Sequence, residues 1–108
     1  MLKLIDTNEK LSKIQEENPI FFLLKHSLTC PISESAKREF EAFCEESSYP
    51  CFILHVQESR KLSLSIADTY QVKHESPQVL LFKDNSVVWH DSHWKITQTS
   101  LKEEASQL

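Results

Sequence analysis

The stretch Ser27-Leu28-Thr29-Cys30-Pro31-Ile32-Ser33 holds the residue in this chain best placed to do chemistry. Cys30 follows the apolar run Ile20–His26 and precedes a proline. The run is apolar at consecutive positions, which suits a strand buried on both faces. Pro31 suits the first turn of a helix, where its missing N–H costs nothing. Cys30 is thereby expected at the carboxyl end of a strand and the amino end of a helix. Ligand sites of open α/β sheets collect at the carboxyl ends of strands. Helix amino termini carry unpaired N–H groups and about half a positive charge. Both favour thiolate over thiol, and a cysteine pKa of ~8.5 can fall to about 3.5–7.5 in such a place. The competing reading is a small buried cysteine that only packs, since cysteine is often buried.

Ser33 stands where many redox proteins carry a second cysteine. It lies about one helical turn from Cys30 and can offer a hydrogen bond to a thiolate, but cannot close a disulfide. The remaining cysteines are Cys44 and Cys51. Cys44 falls near the end of the helix that Pro31 opens, ~21 Å along its axis and out of disulfide range of Cys30. Cys51 begins a strand with apolar neighbours. Both read as packing residues. An odd count of three, at spacings matching no zinc pattern, argues against a disulfide framework. The expected chemistry is monothiol: Cys30 attacks a mixed disulfide, takes over the small-thiol half, and needs an outside thiol to release it.

The elements that would position Cys30 can be read from the pattern. A first helix is capped by Asp6 or Thr7, buries Leu11 and Ile14, and stops at Asn18-Pro19. After the first strand, Ile32, Ala36, Phe40 and Phe43 recur at helical spacing up to Ser47–Pro50. The run Cys51–Val56 is a second strand, and a crossover of that length makes the two strands parallel. A third helix covers Arg60–Tyr70, with Ser59 as its cap. Two more strands, Val79–Phe82 and Val87–His90, flank a polar turn at 83–86, with Asn85 at the left-handed position usually given to glycine. Thr97 or Thr99 caps a last helix through Leu101 and Ala105. The expected fold is α/β: a four-stranded mixed sheet of two parallel strands and an antiparallel hairpin, with helices on both faces.

Composition bounds the function. The 108 residues suffice for one domain, taken here as 1–108, and for a single core. Apolar residues are 40% and charged residues 26%, a globular balance. The net charge of −4 with no basic cluster argues against nucleic acid as a partner. No apolar run approaches the ~20 residues that span a bilayer. The amino terminus lacks a signal-peptide core, so a cytoplasmic protein is expected. Glycine is absent, which excludes glycine-rich phosphate loops. Five histidines raise the question of a metal; His90 and His93 stand three apart and Cys30 could join them, but a polar loop after a strand is the plainer reading and no metal is expected. Of the two tryptophans flanking these histidines, Trp89 and Trp94, one is expected in the core and the other along a groove, without an assignment of which.

Two longer stretches, "FFLLKHSLTCPISESAKREFEAF" and "HESPQVLLFKDNSVVWHDSHWKIT", resemble the monothiol bacilliredoxins over roughly residues 3–106. The most specific parts are "KHSLTCPIS", "ESPQ" and "HDSHWKIT". The resemblance implies a thioredoxin-like fold, a nucleophile at Cys30 stabilised by Ser33 and Pro31, and a cis proline at Pro77. It further implies that Thr29, Ile32, Ser76, Pro77 and His93 contact the substrate. No bound cofactor is implied. The co-substrate would be bacillithiol, a low-molecular-weight thiol, and the partners S-bacillithiolated client proteins, met by a monomer or weak dimer. Two alternatives stand beside this: a thioredoxin-like module that binds or senses without turning over, and an iron–sulfur scaffold bridging two subunits. The second is weakened by Pro31, which stiffens the loop where a cluster would need room.

Overall fold

The computed structural model describes residues 2–108. Strand β1 (Lys3–Leu4) is followed by α1 (Asn8–Glu17), β2 (Ile20–His26), α2 (Pro31–Glu46), β3 (Cys51–His55), α3 (Arg60–Tyr70), β4 (Gln78–Lys83) and β5 (Ser86–Ser92). A 3-10 turn (His93–Lys95) and α4 (Gln98–Ala105) complete it. The strand order is β1-β3-β2-β4-β5. β2 runs parallel to β3 and antiparallel to β4, and β5 closes the hairpin.

The sheet therefore has five strands where the sequence pattern predicts four. The addition is β1, whose two residues pair in parallel with Phe52 and Ile53. Two residues are too few to show any period. The strand is anchored by its neighbour Ile5, whose N–H bonds to the Ile53 carbonyl at 2.8 Å and whose side chain is fully buried.

β2 is buried on both faces along Phe21–His26. Phe21 and Leu23 join Leu11 of α1 and Leu62 and Ile66 of α3 on one side of the sheet. Phe22 and Leu24 join Phe40 and Phe43 of α2 and Leu101 of α4 on the other. The stacked pair Phe21–Phe82, with ring centroids 4.6 Å apart, fixes β2 against β4. Fully burying one such side chain stabilises by roughly 1.5–3 kcal/mol, so these two layers dominate the fold's stability.

Without glycine, other residues occupy the left-handed backbone positions. Asp84 and Asn85 (φ 50° and 66°) make the β4–β5 turn, Gln71 (φ 55°) ends α3, and His93 (φ 54°) opens the 3-10 turn. Asp84 and Asn85 both at positive φ form the primed hairpin turn that suits strand twist. The helix caps use short polar side chains: the Thr7 hydroxyl accepts the Lys10 N–H, and Thr97 and Ser100 form a reciprocal capping box on α4. Ser59 occupies the cap position of α3, although its side chain makes no capping bond.

Candidate functional site around Cys30

Cys30 is the N-cap residue of α2, with extended backbone (φ −97°, ψ 125°), and Pro31 occupies the first helical position. Its thiol is partly exposed. Backbone N–H groups of Ser33 and Ile32 hold the thiol below its ordinary pKa, partial burial opposes them, and the Ser33 hydroxyl assists. This is the effect of unpaired donors at a helix amino terminus.

Ser33 has a second task. It is fully buried, and its hydroxyl accepts the Ser27 N–H at 3.3 Å. The loop between β2 and α2 is thus tied to the helix it feeds. A further bracket comes from Gln57, just beyond β3. Its side-chain carbonyl accepts the Leu28 N–H (3.0 Å), while its amide nitrogen donates to the hydroxyls of Ser27 (2.8 Å) and Thr29 (3.3 Å). Nothing in the sequence around Gln57 singles it out, because it meets this loop only through the parallel pairing of β2 and β3.

Ser76–Pro77 is a cis peptide bond. Lys25 pairs with Gln78 across β2 and β4, so Pro77 enters the sheet at the end from which Cys30 leaves it. The His93 N–H donates to the Pro77 carbonyl at 3.1 Å, and the 3-10 turn packs on α2. Topology therefore gathers Thr29, Cys30, Pro31, Ile32, Ser33, Ser76, Pro77 and His93 at one end of the molecule. Trp94 stands beside them 69% exposed, and Leu28 is 50% exposed. Trp89, by contrast, is partly buried and packs against the α2–α4 core. His90 is on exposed β5, and no cluster of three or more metal-ligating side chains occurs among the described residues.

Beneath this end lie polar groups that the sequence pattern passes over. Lys25 is fully buried at an inward position of β2. Its ammonium donates to the Ser63 carbonyl (2.9 Å) and lies 3.4 Å from His74 Nδ1, which is also 3.3 Å from the Ser63 hydroxyl. Burial pushes the Lys25 pKa down to about 8. His74 is lowered too, first by burial, then by Lys25 and Arg60, against Glu75. The cluster links β2 and α3 to the segment leading into Pro77. On the opposite face, His26 is buried, with its ring 5.7 Å from that of His55. Burial, Lys37 and His55 lower its pKa, opposed by Glu34 and the Ser33 backbone. A Lys-His pair at the end of an apolar strand is the signal that could have marked both.

Cys44 and Cys51 correct the sequence reading. They are not separate packing residues: their sulfurs are paired as a disulfide, with Cα atoms 6.1 Å apart. The four-residue connection 47–50 folds the end of α2 back onto the start of β3, bringing together cysteines seven positions apart. The elements were legible, but the angle of that turn was not.

The family model for the monothiol bacilliredoxin BrxC matches residues 3–101. Among solved structures, a thioredoxin-fold protein assigned as an oxidoreductase is 38% identical, with TM-score 0.90, covering 97% of this chain and 93% of its own. A mutant thioredoxin from Halobacterium salinarum NRC-1 superposes at TM-score 0.80 with 17% identity, covering 97% and 88%. Fasciola hepatica thioredoxin does so at 0.78 with 19% identity, covering 98% of each chain. The last two establish the fold alone. With a thioredoxin-like sheet, a partly exposed free cysteine at a helix amino terminus and a family match along nearly its whole length, the chain belongs to the monothiol bacilliredoxin family.

Proposed function

We propose that this protein removes bacillithiol from S-bacillithiolated proteins by thiol–disulfide exchange at Cys30. The observation that carries the reading is a partly exposed thiol held below its ordinary pKa at the start of α2, with a serine instead of a cysteine one turn on. The Cys30 thiolate attacks the bacillithiol sulfur of the client's mixed disulfide. The client thiolate leaves and takes a proton, and Cys30 carries bacillithiol. A second bacillithiol thiolate attacks the bound bacillithiol sulfur, giving bacillithiol disulfide and restoring the Cys30 thiolate. Ser33 at the resolving position cannot divert the intermediate into an internal disulfide.

The other residues have supporting roles in this scheme. Ser33 and the helix that Pro31 opens stabilise the thiolate. Thr29, Ile32 and the Ser76 backbone flank the incoming disulfide, Pro77 shapes the groove, and His93 lies where the small thiol would be held. Leu28 and Trp94 offer the client an apolar landing surface. The protein would act in the cytoplasm, as a monomer or weak dimer.

The test is intact-mass analysis of the reduced protein after incubation with a bacillithiolated client, alongside Cys30→Ala. One bacillithiol added to the wild type only, with reduced client released, is the expected result. An unmodified wild type whose Cys30 still reacts with alkylating reagents overturns it. The second reading, a module that binds or senses without turnover, is favoured by the same exposed apolar surface. It requires a single stoichiometric reaction that excess bacillithiol does not reset.

A further inference from the structure

The far end of α2 holds a second thiol pair, and we propose that Cys44 and Cys51 form a reversible dithiol–disulfide site that exchanges with low-molecular-weight thiols independently of Cys30. Four observations carry this. The Cα separation of 6.1 Å lies within the range a disulfide spans, so no backbone movement is needed to close it. The same backbone also suits the reduced pair, because the Cys51 sulfur has a hydrogen-bond acceptor in the Tyr49 carbonyl at 3.7 Å. The connection itself is held independently of the sulfurs, by the Tyr49 N–H donating to the Ser47 hydroxyl at 2.9 Å. Both cysteines are only partly buried, so a small reagent can reach them.

The surroundings of the two sulfurs differ. Cys51 sits at the start of β3 on the α2 face of the sheet, beside the Tyr49 carbonyl and with no carboxylate neighbour of its own on the strand. Cys44 borders a niche of about 60 Å³ between Glu41 and Glu45, on the last turns of α2, where the helix dipole is negative. An anionic thiolate is kept from Cys44 by the narrow niche and by the two carboxylates, which leaves Cys51 as the sulfur attacked. The class of reagent is a low-molecular-weight thiol.

Its thiolate attacks the Cys51 sulfur. The Cys44–Cys51 bond breaks, a mixed disulfide forms on Cys51, and Cys44 leaves as a thiolate that takes a proton from water. A second thiolate attacks the small-thiol sulfur of the mixed disulfide. The small-molecule disulfide is released, and Cys51 is left as a thiol after protonation. Two electrons pass from two small thiols to the pair, and a small-molecule disulfide drives the reverse. The acidic surroundings make Cys44 a poor leaving group, so this exchange is slower than attack at a helix amino terminus.

The inference stands whether or not Cys30 transfers bacillithiol, and the test removes Cys30. Cys30→Ser protein is equilibrated with glutathione and glutathione disulfide at graded ratios, quenched in acid, alkylated and weighed intact. The expected result is a two-electron transition between doubly alkylated and unalkylated protein, the same from either direction. Adding Cys44→Ala should trap one glutathione on Cys51, at least 10-fold faster than Cys51→Ala traps one on Cys44. Two thiols that stay alkylatable in the highest glutathione disulfide overturn the proposal. So does a disulfide that thiol opens only after denaturation, and equal trapping rates overturn the assignment of Cys51 as the attacked sulfur.

Discussion

The two ends of α2 carry the same element, sulfur, in opposite electrostatic settings. At the amino end, Cys30 meets unpaired backbone donors that pull its pKa down. At the carboxyl end, Cys44 sits among Glu41 and Glu45 and is paired with Cys51. The helix between them separates the sulfurs by ~21 Å, so neither can resolve the other. In the proposed scheme Cys30 is the nucleophile because it is a free thiol at the positive end of the helix dipole, whereas Cys44 is held in a disulfide at the negative end. The ends also differ in support. The Cys30 loop is braced by side chains from elsewhere, Ser33 and Gln57, whereas the Cys44–Cys51 turn is braced by its own Ser47.

The largest effect expected is a clean separation of the two ends. Cys30→Ala should lower bacillithiol release from a client by at least about 100-fold, the order expected when a covalent nucleophile is removed. Cys44→Ala should leave release within about two-fold. Release assays on both variants check this, and a Cys44→Ala protein as inactive as Cys30→Ala would merge the two ends into one functional unit.

Stability supplies the next contrast, beginning beneath the Cys30 end. Lys25 is fully buried and its pKa is lowered to about 8, from an ordinary value of 10.5. A base lowered on folding binds fewer protons in the native state, so stability must rise as pH climbs from about 8 toward 10.5. The full window corresponds to roughly 3 kcal/mol. Urea unfolding at pH 7.5 and 9.5 should show the rise, and Lys25→Met should flatten that component. At the other end, the disulfide closes a short loop, and chain entropy assigns it about 2 kcal/mol. Unfolding the Cys30→Ser protein oxidised and reduced isolates that contribution.

These contrasts mark where the sequence was informative. The repeated apolar spacing of Ile32, Ala36, Phe40 and Phe43 located α2, and the unbroken run at 20–24 located a central strand, because periodicity reports burial directly. Cys30 was legible since its position depends on two adjacent elements and on Pro31. Gln57, Lys25 with His74, and the Cys44–Cys51 pair were not, because each acts through a partner fixed by packing. Gln57 is 28 positions from Thr29, and Lys25 is 38 from Ser63. The pairing of Cys44 with Cys51 turns on how the chain reverses after Glu46, a property of the 47–50 connection that no period encodes. The short β1 escaped for a related reason: its place on the sheet is held by Ile5, the residue after it.

The smallest effect tests how far the brace at the Cys30 end matters to the sulfur. Gln57 makes three bonds to residues 27–29, all at an exposed surface. Bonds at such a surface contribute modestly, because water replaces them on loss. Gln57→Ala should therefore keep the fold and slow client exchange by only a few-fold, by loosening the backbone that presents Cys30. The thiol pKa should stay where it is, since the donors that lower it belong to Ser33 and Ile32. Ser33→Ala gives the complementary result: it removes the hydroxyl that helps hold the thiol pKa down and that accepts the Ser27 N–H, so the pKa should rise. Alkylation rate against pH separates the two, because a change in presentation scales the whole profile and a change in pKa moves its inflection. If Gln57→Ala moves the inflection instead, the loop and the helix amino terminus are one electrostatic unit, and the brace belongs to the chemistry of Cys30 rather than to its delivery.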